Sequence, residues 1–434
     1  MPKPHTDLID AIASFENLLE ASHRALRGKR NLPGPANFQM GLEKHLLRLR
    51  GQLKNGTWQP SGFRTFMVKD PKPRMISAAP FADRVVHHAL CRVIEPIFER
   101  GFIDDSYANR KGYGTHRAVA RYEHYRDRHA YVLRGDIFRY FPSIDHDILK
   151  RDLHRRIACA PTLALLDAVI DGSNPQEPVY QTFPGDDLFT PLQRRRGLPI
   201  GNLTSQFFAN VYLDGLDHFV KEVLRAPYVR YVDDIALFHD DSTELAVWRE
   251  RIETWLIGHR LKLHPGKTRI VASAQAVPFL GYVLLSNGRR RLPEANVDRF
   301  AGRLRTLRQR YRAGCVDLNE VQQRVGSWVA HAAHANTLPL RHALFRGGLF
   351  DPLREPDRPP SVSCAAAPGT TNPGTPARPN ATGIRPPNGT ITTASVSRAV
   401  PVRPAARAAF FTENSGELRG VQGQPGDGST PRPS

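Results

Sequence analysis

Two adjacent acids, Asp233 and Asp234, lie between short apolar stretches in YVRYVDDIALF, residues 228–238. The stretches 228–232 and 235–238 are typical of short strands, so the sequence predicts a hairpin with both acids at its tip. Adjacent carboxylates repel each other, and flanking strands would partly desolvate them. A bound divalent cation would offset that cost. For such a pair taken by itself, a solvated Asp-Asp turn is the alternative.

A third acid, Asp136, lies in the apolar stretch YVLRGDIFRYF, residues 131–141, which predicts a buried strand ending at this acid. An acid in that position is a common metal ligand, although a helix cap or a turn residue is the alternative. Mg²⁺ takes oxygen ligands and keeps positions open for phosphate oxygens. Two such ions about 3.5–4 Å apart promote an in-line phosphoryl displacement. If the strands lie side by side, the three acids predict a site for two Mg²⁺ ions.

Asp145 is also close to this stretch, in PSIDHDILK, but it stands immediately before a helical segment. An aspartate there accepts hydrogen bonds from the first free amides of the helix. The sequence therefore predicts that Asp145 caps a helix and takes no part in catalysis.

The order of motifs resembles that of reverse transcriptases over about residues 60–290. Tyr-Val-Asp-Asp at 231–234 is similar to the catalytic box of that family, and Asp136 matches its first catalytic acid. The resemblance implies an α+β right-hand polymerase with fingers, a palm built on an antiparallel sheet and a short helical thumb. It also implies RNA-directed DNA polymerase activity with Mg²⁺ as cofactor.

The resemblance assigns roles to residues outside the acidic cluster. Arg74, in KDPKPRMI, would grip the incoming triphosphate, with Lys69 and Lys72 as helpers. Phe141 would exclude a ribose 2′-hydroxyl, and Lys267 would donate a proton to pyrophosphate. The alternatives are a surface arginine, a core phenylalanine and a solvated loop lysine.

Two further segments match the family. GLPIGNLTSQ, residues 197–206, resembles the segment that packs on the nascent base pair, and PFLGY, residues 278–282, resembles the primer grip. A glycine that serves only a turn and aromatic residues that belong to the core are the alternatives. The substrate-binding candidates in these segments are Ile200, Gly201, Gln206, Phe279 and Gly281.

The first of these segments departs from most of the family, which carries Gln and Pro where this chain has Ile200 and Gln206. This variant resembles the reverse transcriptases of diversity-generating retroelements. Those enzymes copy a template-repeat RNA into cDNA, misincorporate opposite adenines and so rewrite a variable repeat. The change to Ile200 would remove a polar side chain near the templating base and weaken discrimination by about 1–3 kcal/mol. The implied partners are the RNA template, the cDNA primer, deoxynucleoside triphosphates and a small basic accessory variability protein.

Two alternatives to this function remain open. A retron-type or antiphage-defence reverse transcriptase would share the same motifs. A non-catalytic nucleic-acid-binding protein on a degenerate polymerase fold would be indicated by loss of one of the three acids, and all three are present.

Composition agrees with a nucleic-acid partner. The 434 residues include 61 Lys and Arg against 42 Asp and Glu, a net charge of +19, which favours binding to polyanions. The charge by itself does not separate nucleic acid from an anionic membrane surface. No apolar run approaches the roughly 18 residues of a spanning helix, so no spanning helix is expected, and the predicted partners include no membrane. The four scattered cysteines show no zinc-ligand spacing and favour a reduced, cytoplasmic setting.

The sequence predicts four regions: N-terminal helices and fingers at 1–130, palm with a fingers insertion at 131–282, helical thumb at 283–354, and a disordered tail at 355–434. The tail is rich in Pro, Thr, Ala and Gly, which cannot bury enough apolar surface to fold. Its codons, shifted by one frame, could instead encode Asn-rich strings like a template repeat. Linker and frame-shifted repeat both remain open.

Overall fold

The computed structural model describes residues 4–69, 73–174 and 179–346. Lys72 and the tail lie outside these ranges, so the predictions made for them stay predictions. Within the described ranges no helix combines the length and the apolar character needed to span a membrane. The Cα positions divide the chain into two compact units, one of residues 1–299 and 328–344, the other, as far as it is described, of residues 300–327 and 345–346.

Helices dominate the first 60 residues, as the sequence predicts. The second of them begins at a cap, where the Ser14 hydroxyl accepts from the Asn17 amide at 3.2 Å. Leu18, Ala21 and Ala25 recur at helical spacing on its buried face. The four helices are α1 (Leu8–Ile12), α2 (Phe15–Leu26), α3 (Pro33–Met40) and α4 (Leu42–Lys54).

A hairpin follows, made of β1 (Arg64–Val68) and β2 (Arg74–Ala78), paired antiparallel. Strand β1 is exposed over most of its length, whereas β2 buries Ile76 and Ser77. Two longer helices then lead to the central sheet: α5 (Phe81–Glu99), which packs on α2, and α6 (Thr115–Arg126).

The central sheet has four strands, each antiparallel to its neighbours, in the order β4-β5-β3-β6. Leu133, on one face, belongs to the main hydrophobic core. Val132, on the other face, joins a second core with Phe238 and Tyr122. Because neighbouring residues of a strand point to opposite faces, both faces are covered by apolar side chains. The strands are β3 (Tyr131–Asp136), β4 (Tyr228–Tyr231), β5 (Asp234–His239) and β6 (Arg269–Ala272).

Helices fill the long connection between β3 and β4, and another follows β5. Asp145 begins one of them: its Oδ1 accepts from the amides of Asp147 and Ile148, both at 3.1 Å. The prediction of a cap at Asp145 is therefore confirmed. These helices are α7 (Tyr140–Ser143), α8 (His146–His154), α9 (Ala160–Asp171), α10 (Thr190–Gln193), α11 (Leu203–His218), which runs into a π-helical turn at Phe219–Val223, and α12 (Ser242–Gly258).

A small three-stranded antiparallel sheet comes after the central one, in the order β7-β8-β9. The rest of the described chain is helical, as the sequence predicts for the region after residue 283. The elements are β7 (Val277–Phe279), β8 (Tyr282–Leu284), β9 (Arg290–Arg291), α13 (Glu294–Arg312), α14 (Leu318–Ala333) and α15 (Leu338–Phe345). The mixture of helices and antiparallel sheet agrees with the predicted α+β class.

Candidate active site

The two adjacent acids lie at a two-residue hairpin turn. Tyr231, the last residue of β4, pairs with Asp234, the first residue of β5, so the loop consists of Val232 and Asp233. Val232 has a φ of 58°, which is rare for a β-branched residue. Tight hairpins require left-handed backbone, and at this position glycine is the usual residue. The turn therefore holds strain of roughly 1–3 kcal/mol, which the surrounding contacts must offset.

Asp136 and Asp234 stand directly opposite each other on the neighbouring strands β3 and β5. Directly opposed residues of an antiparallel pair project from the same face, with Cβ atoms about 4.5–5.5 Å apart. The amide of Ile137 donates to the carbonyl of Asp233 at 3.2 Å and fixes the turn against the end of β3. The sequence could only state as a condition that the two strands lie side by side, and in the structure they do.

The three carboxyls form a desolvated acidic cluster. Burial, followed by the charges of Asp234 and Asp136, raises the pKa of Asp233 to about 7. Burial and the charge of Asp136 raise the pKa of Asp234 to about 6. In both cases the charged form is disfavoured because water is excluded and like charges are near. A cation brought to this face would therefore be stabilised.

A second pair of adjacent acids, Asp240 and Asp241, lies at the other end of β5 and behaves in the opposite way. The amide of Ala130 donates to Asp240 at 2.9 Å, and the Thr243 hydroxyl and amide donate to Asp241. These hydrogen bonds lower the pKa of both carboxyls. Two adjacent aspartates alone thus do not raise the pKa of a carboxyl. The raised pKa values of Asp233 and Asp234 result from burial at the turn and from the charge of the opposing acid.

Lys267 supplies a positive charge to the cluster. Its Nζ lies 2.9 Å from both carboxylate oxygens of Asp136. The loop that carries the lysine is held in place because the amide of His264 donates to the carbonyl of Asp136 at 2.7 Å. Among the described side chains, no other donates a hydrogen bond to the three acids. The lysine itself is exposed, so it is accessible to a ligand.

The donor set suits Mg²⁺, which prefers carboxylate oxygens and retains several positions for water and phosphate. In the described ranges, however, no three His, Cys, Asp or Glu side chains are arranged as a ready-made metal site. Asp136 and Asp234 face each other, while Asp233 belongs to the turn beside them. The structure thus brings two of the three predicted ligands together as an open pair and places the third next to them.

A cavity of about 140 Å³ opens beside this pair of acids. Its lining includes Asp136, Asp234, Lys267, Arg134, Arg269 and Phe279. Three cationic side chains and two carboxylates therefore share one small space, a combination that suits a ligand carrying both metal ions and phosphate groups.

A buried ion pair supports the turn from within the core, and the sequence analysis did not find it. The guanidinium of Arg230, on β4, donates to both carboxylate oxygens of Asp217 and, through Nη1, to the carbonyl of Val232 at 3.1 Å. Both charged side chains are fully buried. An arginine inside the apolar strand YVRYV and an aspartate inside the apolar helix segment LDGLDHFV were the signals available.

The candidate residues for the incoming nucleotide lie on another set of elements. Arg74 is exposed at the start of β2, and Lys69 is exposed just after β1. Phe141 is half-buried and packs against the main core. These positions leave the predicted roles open, because no described contact joins Arg74 or Lys69 to the acids.

The segment that carries Ile200 is hydrogen-bonded to β2. The amide of Ser77 donates to the carbonyl of Ile200 at 3.0 Å, and the side chain of Asn202 bonds the Ser77 carbonyl and the Ala79 amide. Gly201 has a φ of 113°, and a Cβ there would lie 3.0 Å from Ile76 Cγ2. Asn202, which the sequence analysis did not single out, therefore ties this segment to the hairpin. Gln206 is half-buried in the first turns of α11.

The candidate primer-grip residues form a tight turn between β7 and β8. Phe279 is buried and stacks on Tyr122, with ring centroids 4.4 Å apart, and it also lines the cavity beside the acids. Gly281 has a φ of 87°, which a residue with a side chain rarely adopts. Tyr282 is buried and its hydroxyl bonds His331. The two aromatic residues thus have a core function, whether or not they also meet a primer.

Comparison with known proteins places these features in a family. Residues 68–284, half of the chain, match the family described as reverse transcriptase (RNA-dependent DNA polymerase). Protein YkfC of Escherichia coli is 24% identical over 69% of this chain and 90% of its own length. The group II intron-encoded protein LtrA of Lactococcus lactis is 24% identical over 42% of this chain, which spans only 29% of that protein.

Solved structures of apo telomerase from Candida tropicalis are also similar, one at 10% identity and a TM-score of 0.41 over 54% of this chain and 49% of that one. A second, truncated from the C-terminal domain, has a TM-score of 0.39 at 13% identity over 56% of this chain and 58% of that one. At such scores the likeness carries no argument, and the assignment rests on the family match. The chain belongs to the reverse transcriptase family, the RNA-directed DNA polymerases.

Proposed function

We propose that this chain copies an RNA template into DNA by two-metal nucleotidyl transfer at Asp136, Asp233 and Asp234. The observation that carries the proposal is the direct opposition of Asp136 and Asp234 across β3 and β5, with Lys267 at 2.9 Å. The substrates are a primed RNA template and deoxynucleoside triphosphates. Two bound Mg²⁺ ions would activate the primer 3′-hydroxyl and stabilise the leaving pyrophosphate.

The chain's own residues would do the rest of the chemistry. The acids hold negative charge where cationic ligands are required, and burial keeps bulk water away from that face. Lys267 would leave Asp136 when the cations bind and would then be free to donate a proton to pyrophosphate. Arg74, with Lys69, would hold the triphosphate, and Phe141 with Gly201 would shape the sugar and base site.

In the proposed right-hand arrangement, the sheet β4-β5-β3-β6 is the palm and the hairpin β1–β2 belongs to the fingers. The helices after Glu294 are the thumb, where many arginines suit the sequence-independent binding of duplex phosphates. The hydrogen bonds between β2 and residues 200–202 support this scheme, because they hold a triphosphate-binding strand beside the segment proposed to pack on the nascent base pair.

We further propose that the enzyme belongs to a diversity-generating retroelement and is error-prone opposite adenines. The departure of the segment 197–206 from the usual family pattern, at Ile200 and Gln206, supports this assignment. A small basic accessory protein would be its partner. A retron-type or antiphage-defence enzyme is the alternative, and an adjacent structured RNA in the gene's neighbourhood would favour it.

Primer extension tests the catalytic proposal. The wild-type chain is compared with the double variant Asp233→Ala plus Asp234→Ala on a primed homopolymer RNA, with Mg²⁺ and with a chelator. The wild type should extend the primer only with Mg²⁺, and the double variant should be inactive. Asp240→Ala, at the other adjacent acid pair, serves as the matched control and should keep wild-type activity. An active double variant would refute the assignment.

A further inference from the structure

Two arginines, Arg134 on β3 and Arg269 on β6, stand directly opposite each other in the central sheet. Directly opposed like charges disfavour the pairing of two strands. The arginines share their face with Asp136, because side chains two positions apart in a strand project to the same side. Their positions are thus costly for the sheet and adjacent to the acidic cluster.

Neither guanidinium has a hydrogen-bond or ion-pair partner among the described residues, although many other arginines of this chain do. Both line the cavity beside the acids, together with Lys267, Pro278 and Phe279. Arg134 is half-buried, so its charge is only partly hydrated. Arg269 is exposed, so Arg134 alone is partly desolvated. Two directly opposed cations are nevertheless stabilised when an anion binds between or beside them.

The anion can be located along the direction of β3. Beyond Asp136 the chain continues to Phe141, whose carbonyl accepts a hydrogen bond from the amide of Leu198. Leu198 belongs to the segment that contains Gly201, and this segment is hydrogen-bonded to β2. The proposed nucleotide site therefore lies past the carboxyl end of β3. Arg134 and Arg269 lie on the other side of Asp136, towards Phe279. Nucleotidyl transfer requires the incoming triphosphate and the primer end to approach the acids from different sides.

We propose that Arg134 and Arg269 bind a backbone phosphate of the primer strand next to its 3′ end. The inference rests on the proposed function and adds a subsite to it. Two guanidinium groups offer ten N–H donors, and a guanidinium matches the geometry of phosphate oxygens. By holding this phosphate the pair would place the terminal 3′-hydroxyl beside Asp136 and Asp234.

The variants Arg134→Gln, Arg269→Gln and the double variant test the subsite. Arg50→Gln, an exposed arginine on α4, is the matched control for loss of charge, since α4 contributes nothing to the cavity. Arg134→Lys keeps a charge without the planar group. Because the two like charges disfavour the sheet, the double variant should resist urea at least as well as wild type, so misfolding will not hide the result.

The dissociation constant of primer–template is measured over a range of salt concentration, and the KM for the nucleotide is measured at saturating primer–template. Each Gln variant should weaken primer–template binding roughly 10-fold and leave the nucleotide KM unchanged. The slope of the logarithm of affinity against the logarithm of salt concentration should become smaller in magnitude by about 1. Arg134→Lys should bind between Gln and wild type. Arg50→Gln should match wild type.

Three results would overturn the inference. If the nucleotide KM rises while primer–template binding stays constant, the arginines contact the triphosphate. If neither changes, they contact no phosphate. If Arg50→Gln weakens binding as much as the cavity variants, the effect is that of net charge. A wild-type chain that extends no primer would instead contradict the proposed function. The dissociation constant of primer–template could still be measured in that case and would test the inference separately.

Discussion

The buried guanidinium of Arg230 binds both carboxylate oxygens of Asp217, at 2.7 and 2.6 Å, and donates to the carbonyl of Val232. One side chain thus neutralises a fully buried acid and holds the strained residue of the turn that carries Asp233. The amide of Asn210 adds a further contact, its oxygen accepting from the guanidinium at 3.2 Å. The shape of the turn therefore depends on a fully buried ion pair.

Removing one partner of this pair should be costly. Arg230→Met leaves Asp217 charged, buried and unpaired, so the free energy of unfolding should fall by about 3–5 kcal/mol in urea denaturation. The double variant Arg230→Met plus Asp217→Leu removes both charges and should regain most of that loss. If the single variant unfolds at the same urea concentration as wild type, the ion pair does not support the fold.

Substitutions at Lys267 separate its charge from its proton. Lys267→Met should lower the rate of primer extension by roughly 10²–10⁴-fold, the usual contribution of a general acid. Lys267→Arg can keep an ion pair with Asp136 but is a poor proton donor, so it should be nearly as slow. Lys262→Met, on the same loop, is the control, because the amino group of Lys262 donates to the carbonyl of Thr182 and to none of the three acids. An Arg variant with the wild-type rate would show that only charge matters.

The acidic cluster makes stability depend on pH. The pKa values of Asp233 and Asp234 are about 7 and about 6 in the folded chain, against an ordinary 3.8, so the folded state binds protons more tightly than the unfolded one. Without divalent cations, the free energy of unfolding should therefore fall as pH rises from about 4 to about 8.

Mg²⁺ should oppose that loss, because it binds the ionised carboxylates. The melting temperature should rise on adding Mg²⁺ by more at about pH 8 than at about pH 5. The variant Asp233→Asn plus Asp234→Asn should lose this difference in melting temperature. It should keep the part of the pH dependence of stability that comes from other buried acids, such as Glu95, whose pKa is raised to about 7 by burial. An equal Mg²⁺ effect in the variant would place the cation elsewhere.

Ile200 should affect fidelity more than rate. Restoring a polar side chain with Ile200→Gln should reduce misincorporation opposite template adenine by up to roughly 10–100-fold, the effect of one gained hydrogen bond of about 1–3 kcal/mol. Single-nucleotide incorporation opposite each of the four template bases measures this. Ile200→Val keeps the apolar character and should stay error-prone. Identical error spectra for wild type and Ile200→Gln would exclude the proposed cause.

The sequence predicted those features of the site that depend on local pattern. Apolar stretches predicted β3, β4 and β5, with strand ends next to the turn that differ from the structure by at most one residue. The position of Asp145 immediately before a helical segment predicted that it caps the helix. The pairing of β3 with β5, which brings Asp136 opposite Asp234, was only a condition of the hypothesis, and the pairing of β3 with β6 was not predicted.

Features set by tertiary partners were missed. Arg134 and Arg269 are far apart in sequence, and only the register of β3 and β6 makes them neighbours. Arg230 and Asp217 are 13 residues apart on a strand and a helix, where no periodicity relates them. Asn202 joins two segments more than 120 residues apart. Local propensity carries no information about such contacts, because they form between elements and not within them.

The proposal that Asp136 and Asp234 act together is tested most directly by single-turnover primer extension with Asp136→Asn over a range of Mg²⁺ concentrations. Because bound metal contributes several kcal/mol to such a step, the rate should fall by roughly 10³-fold or more at every Mg²⁺ concentration, while urea denaturation shows a folded chain. A folded Asp136→Asn chain that extends primers at the wild-type rate would contradict the account.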